Sequence, residues 1–309
     1  MKNQNQFSSR LCVPLTFALL AFNAAAQDGS HSEFMFKSNS ELVIVPVTVT
    51  NRQGAMVNGL TQKQFQVKEN KVDQRIAALT ERDVPASMGI VLDVSGSMDS
   101  ALPSAKTALS DFLDEANPED EAFLYTVSSN PHRESFFTTE FDSMLSRVSF
   151  RAAYGSTALT DTIYASLDGL RAAKQGRRAL VVVSDGMDNH SRYSKSELLS
   201  RALESDAQIY TISLYNPPAS KKAVQLTEQR AGLDFLEELA GKTGGIPFVV
   251  HDAAGLHAAT AAIGHALRNE YVLSYIPQSH ERNGKWRSIK VTVAVPHATV
   301  YTRSGYRAD

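Results

Sequence analysis

The sequence predicts an α/β fold. It is a doubly wound, mostly parallel sheet with helices on both faces, inserted into a small β-sandwich-like module built from the N- and C-terminal segments. Three observations carry this. Between residues 85 and 268, short apolar runs alternate with stretches of helical spacing, the pattern of a parallel sheet covered on both sides. Residues 41–84 and 269–309 are instead β-branched and alternating. Each flanking piece is too small to bury a core alone, so the two are expected to pair.

Residues 1–26 read as a cleaved secretory signal. Lys2 and Arg10 give a basic start, residues 11–22 are mainly apolar, and Ala24-Ala25-Ala26 has the small-x-small form of a cleavage site. The apolar run falls short of the ~20 residues a spanning helix needs. No later stretch is longer, so no membrane span is expected after cleavage. The expected destination is outside the cytoplasm: periplasm, cell surface or medium. Cys12 is the one cysteine, and it lies inside this segment, away from the cleavage point. The mature chain then has no disulfide, thiolate metal site or thiol nucleophile. Net charge is −2; taking Lys2 and Arg10 from the 31 bases leaves 29 against 33 acids, or −4. That balance excludes a general nucleic-acid binder, which needs a basic surplus.

Residues 27–40 are polar and aperiodic, a flexible lead. Residues 41–50 (ELVIVPVTVT) are strand-like, with Pro46 pointing to an edge or bulge. Residues 65–68 alternate, 69–71 turn, and 72–79 form one further strand. A buried strand is expected at 88–93 and a helix at 99–116, with Pro103 tolerated in its first turns. Strands follow at 121–127 and 132–139, the latter an antiparallel edge. Helices are expected at 157–173, 195–205, 233–242 and 255–268, and strands at 179–184, 208–214 and 247–250. Beyond residue 269, strands are expected at 271–276, 286–295 and 299–303. Trp286, Tyr271, Tyr275 and Tyr301 sit in these strand patterns and are expected to pack the sandwich.

The chemistry gathers at strand ends. In residues 88–100 (MGIVLDVSGSMDS) an apolar run stops at Asp93, and Ser95 and Ser97 follow with Gly96 between them. Gly155-Ser156-Thr157 is a glycine turn leading into a helix. Residues 181–186 (VVVSDG) form a second buried strand ending in an acid, Asp185. In open α/β sheets these ends converge on one edge, where ligands bind. Carboxylate and hydroxyl oxygens suit Mg²⁺, Mn²⁺ or Ca²⁺ rather than zinc. The same residues also suit a plainer role, with the acids at strand ends and the serines capping the helix that starts near residue 99.

At these residues the sequence resembles a von Willebrand factor type A (VWA) domain with its metal-ion-dependent adhesion site, DxSxS…T…D. Asp93, Ser95 and Ser97 match the first element, Thr157 the second and Asp185 the third. The chain from about 41 to 307 also resembles a bacterial exported VWFA-related family found widely in acidobacteria. Residues 60–70 (LTQKQFQVKEN) with Gln74 and Ile76, residues 284–291 (GKWRSIKV), and Gly305-Tyr306 carry that likeness. It implies that Ser95, Ser97 and Thr157 contact a divalent ion, Mg²⁺ foremost, directly or through water. It implies that the two aspartates bind the ion or hold its waters. It leaves one coordination position open for a carboxylate from a protein partner.

Other motifs are weaker. Asp99 follows Met98 near where some relatives place a second, calcium site, but Ser100 stands where an acid would be. Asp188, Asn189 and His190 are expected as solvated turn residues that rim the site. GxSxG and HExxH are both absent, so neither a hydrolase elbow nor a zinc enzyme is supported. The leading reading is a non-enzymatic, exported binding or adhesion-type protein that takes a Glu or Asp side chain of a protein ligand. The alternative is a structural or assembly factor of the envelope in which metal only stabilises the fold.

Overall fold

The computed structural model describes residues 42–81, 83–148, 156–215 and 223–308. The signal and lead readings, Cys12 and Gly155 lie outside them. Residues Ser40–Asp309 cluster as one compact unit.

A six-stranded sheet organises the α/β part. Its strands are β5 (Ala86–Asp93), β6 (Glu121–Val127), β7 (Pro131–Thr138), β8 (Arg177–Ser184), β9 (Gln208–Leu214) and β10 (Pro247–Val250), in the order β10-β9-β8-β5-β6-β7. All neighbours are parallel except β6 and β7, which pair antiparallel at the edge. Strand β5 is buried at every position, which explains its continuous apolar run. Met88, Ile90 and Leu92 point to one core, with α1 (Leu102–Asp114), α2 (Phe141–Ser146) and α6 (Ala253–Arg268). Val91 points to the other, with α3 (Leu159–Gly169), α4 (Lys195–Glu204) and α5 (Ala223–Thr243). The chain leaves β5 for β6 on one side and returns to β8 on the other. The crevice between β5 and β8 is therefore a topological switch point, the usual ligand position in such sheets.

The sandwich pairs both ends of the chain. One sheet runs β13-β1-β11-β4, from Thr299–Thr302, Val43–Thr50, Tyr271–Tyr275 and Ile76–Glu81. The other runs β14-β12-β2-β3, from Gly305–Arg307, Trp286–Val293, Phe65–Glu69 and Val72–Gln74. Val45, Val47, Val67, Leu273 and Ile289 fill the space between them. Pro46 sits opposite Val272 of β11, while β13 pairs with β1 only from Val47 onward. Strand β1 is thus interior, yet its proline lies where one flank has no partner strand.

Several expectations are corrected. The single strand at 72–79 is two strands, because the chain crosses from one sheet to the other at Arg75. Buried Gln74 holds that crossing through bonds to Val72 O and Gln278 N. Helix α1 begins later than residue 99, after a 3-10 turn at Gly96–Met98, and α5 begins about ten residues before 233. Helix α2 and strand β14 were not expected. Tyr271 and Tyr275 are buried, but Trp286 is 37% exposed on the outer face of β12. Its ring lies over Gly305, where a methyl group would meet it at 2.7 Å. No helix of the described residues is long and apolar enough to cross a membrane.

Candidate metal centre

Asp93 ends β5 and Asp185 follows β8, so both acids stand at the switch point. Asp93 is 0% exposed, and Asp185, Ser95 and Thr157 are buried; Ser97 is exposed. Asp93 accepts from Ser95 N at 2.9 Å and from Ser184 Oγ at 2.6 Å. The hydroxyls of Ser95 and Ser97 lie 3.1 Å apart. Asp185 accepts from Met187 N at 3.1 Å. Among the described residues neither Asp93 nor Asp185 has a basic partner.

The capping role is not what these hydroxyls do. Helix α1 has Ala101 at its N-cap and α3 has Ala158, neither with a side-chain cap bond. Ser95 stands at the N-cap of the 3-10 turn, and its side chain makes no cap bond either. Two buried carboxylates beside hydroxyls that cap no helix are a donor set of hard oxygens, which fits an ion of the Mg²⁺ type. Among the described residues no group of three or more His, Cys, Asp or Glu side chains, Asp99 included, is placed to hold a metal ion by itself.

Asp188 and Asn189 lie on the loop after Asp185, half-buried and exposed in turn, and both also take backbone donors. Asn189 Oδ1 accepts from Thr157 N at 2.7 Å, and Thr157 O accepts from the N–H groups of Asn189 and His190. Asp188 Oδ2 accepts from Thr160 N at 2.8 Å, in the first turn of α3. Buried Asp161 holds the far side of this loop, accepting from the N–H groups of Arg192 and Tyr193. The loop after Asp185 therefore clamps Thr157 to β8 through Asn189, which itself stays exposed, while half-buried Asp188 takes the backbone of α3.

The order of these five residues, their place at the switch point and their shared oxygen chemistry agree with the family comparison. Residues 88–187 match a von Willebrand factor type A (VWA) domain. No curated protein matches the chain. Among solved structures, a von Willebrand factor type A protein from Catenulispora acidiphila aligns with TM-score 0.50 at 12% identity, over 88% of this chain and 75% of that one. An aerotolerance-related membrane protein from Bacteroides fragilis NCTC 9343 aligns with TM-score 0.46 at 19% identity, over 59% and 98%. Proximal thread matrix protein 1 of the mussel byssus, solved with zinc in its adhesion-site motif, aligns with TM-score 0.48 at 13% identity, over 64% and 49%. At these identities the likeness is one of fold.

Outside the matched residues, α5 braces the turn after Asp185. Gly186 has φ +79°, a conformation glycine adopts without steric cost. Gly232 of α5 packs directly against it: a methyl at Gly232 would fall 1.8 Å from Gly186 O. Gln229, one turn earlier, reaches Asp185 O at 3.4 Å. Sequence reasoning missed Gly232, which stands just before the helix expected at 233–242 and so read as its boundary rather than as a packing contact.

Burial pushes Asp93 up from 3.8 to about 6, with the neighbouring Asp185 charge adding to it and the Ser184 and Ser95 bonds opposing. A raised carboxylate means that the folded state binds the proton more tightly than the unfolded one. Its contribution to stability is present below pH 4 and lost as pH rises through 6. In chelator, Asp93→Asn is therefore expected to be more stable than wild type at pH 8, by about 3 kcal/mol, and equal to it at pH 4. Urea titrations at the two pH values check this; equal curves at pH 8 would show that the pair carries no electrostatic cost.

Proposed function

We propose that this is an exported, non-enzymatic binding protein. It holds a divalent cation, Mg²⁺ foremost and Mn²⁺ or Ca²⁺ as alternatives, at Asp93, Ser95, Ser97, Thr157 and Asp185. It uses that ion to take a Glu or Asp side chain of a protein ligand. The observation that carries this is the pair of buried acids at the switch point, without a basic partner among the described residues and beside hydroxyls that cap nothing. Two carboxylates balance one divalent ion, and the hydroxyls are neutral donors. The bound ion would supply an electrophilic centre for an incoming anionic oxygen. No histidine among the described residues bonds to Ser95 or Ser97, which favours capture over nucleophilic catalysis. The basic, apolar and small-residue order of residues 1–26 supports export.

Capture from envelope and culture fractions, in Mg²⁺ or in chelator, tests the reading. Partner recovery is expected in Mg²⁺ alone, and Asp93→Ala is expected to abolish it. If the Asp93→Ala protein retains capture but loses thermal stability in Mg²⁺, the metal serves the fold and the envelope-scaffold alternative stands.

A further inference from the structure

A cavity of about 410 Å³ lies beside the acid-and-hydroxyl cluster and shares two walls with it, Ser97 and Asp185. Its apolar floor comes from four separate elements, and its walls include the polar side chains of Gln229, His251 and Asp252. Met98 belongs to the 3-10 turn, Leu214 ends β9, Val250 ends β10 and Leu256 lies in the first turn of α6. All four are buried. None carries a hard oxygen donor, so this floor has no part in holding a cation. Its volume falls in the range of about 300–1,000 Å³ typical of pockets that bury most of a small ligand. It is therefore large enough for one bulky apolar side chain.

We infer that the ligand segment placing its carboxylate at the cluster seats a second, aliphatic or aromatic side chain in this cavity, so that the recognised unit is an acid with an apolar residue within two positions. The inference rests on the proposed carboxylate capture and adds the ligand's second determinant. The shared walls put both contacts within reach of one short segment. In an extended chain, residues two apart present their side chains on the same face, so an acid at one position and a large apolar residue two away fill both places. The acid supplies the metal contact, and burial of the apolar group supplies discrimination among acidic sequences.

Immobilised peptides in a Gly-Ser frame test this with the full chain. Each carries a central Glu, with Leu, Phe, Ser or Lys at the positions two residues to either side. Mg²⁺-dependent affinity is expected to rise about tenfold or more when Leu or Phe replaces Ser within two positions of Glu. Ser104→Trp, which fills the cavity from α1, is expected to erase that gain and leave the Mg²⁺-dependent binding of Glu-Ser peptides unchanged. Ala101→Leu, a smaller filling from the same wall, gives the same reading if the tryptophan variant does not fold. Mg²⁺-dependent binding that is indifferent to the flanking residue, or a preference that survives filling, overturns the cavity's role and leaves carboxylate capture standing. Binding that ignores both Mg²⁺ and Glu overturns the two together.

Discussion

Replacing Glu69 by alanine is expected to destabilise the β-sandwich by about 3–5 kcal/mol. Glu69 is buried at the end of β2, and Oε2 accepts from the hydroxyls of Tyr275 and Tyr306 at 2.7 and 2.8 Å. Its Oε1 faces Arg287 Nη1 at 3.3 Å. Arg287 is buried too, and also donates to Ser279 O and Glu281 O. Burial and the Glu69 carboxylate push both tyrosine hydroxyls up, so they stay protonated and remain donors. Alanine would strand a guanidinium and two phenols without their shared acceptor. Breaking a buried pair from one side costs far more than the pair contributes by existing. Glu69→Gln keeps an acceptor oxygen and loses the charge, so its loss is expected to be smaller. The chain has one tryptophan, Trp286, beside Arg287 on β12. Its fluorescence therefore reports on the sandwich, and the midpoint for Glu69→Ala is expected to fall by on the order of 10 °C. A midpoint within a degree or two of wild type would show that the network is dispensable.

That network also explains a motif that resemblance alone marked. Glu69, Trp286, Arg287, Gly305 and Tyr306 stand in the segments that liken this chain to exported VWFA-related proteins. In the structure they form a tie between the two ends of the chain, 218 positions apart at Glu69 and Arg287. Nothing local predicts such a bond, because periodicity reports only which face of an element is apolar. The same limit hid the sheet change at Arg75, which neither glycine nor proline marks.

The α/β part was more legible because its signals are local. Strands β5 and β8 are covered on both faces and read as unbroken apolar runs. Asp93 and Asp185 interrupt those runs at the sheet edge, which is why two acids and their following hydroxyl or glycine stood out. That their ends share one edge followed from the fold class, and the structure adds that β5 and β8 are neighbours. What was not legible is the support behind each oxygen. Asn189 and Asp188 look like turn residues in sequence, and only the approach of α3 makes them acceptors for the backbone of Thr157 and Thr160. Gly232 lies 47 positions from Asp185, on a helix whose packing no spacing rule discloses.

Gly232→Ala is expected to weaken Mg²⁺ binding by about 10–100-fold without altering any proposed ligand, the range seen when the support of a metal site is disturbed. The added methyl would sit 1.8 Å from Gly186 O and 2.7 Å from Gly186 C. Both are backbone atoms, so no side chain can rotate to make room. Either α5 lifts from the sheet or the turn at Gly186 moves, and Asp185 is the residue before that turn. Overpacking of this kind also costs about 1–3 kcal/mol of stability. Gly241→Ala is the matched control on the same helix. A methyl there meets nothing within 4 Å, and alanine is the better helix former by up to about 1 kcal/mol. Calorimetric titration with Mg²⁺ and thermal melts separate the two variants. Gly241→Ala is expected to bind as wild type and melt at or above it, while Gly232→Ala stays folded, melts lower and loses the ion. A folded Gly232→Ala protein with wild-type Mg²⁺ affinity would mean that α5 does not set the position of Asp185. The rigidity of the site would then have to come from the Thr157 clamp alone.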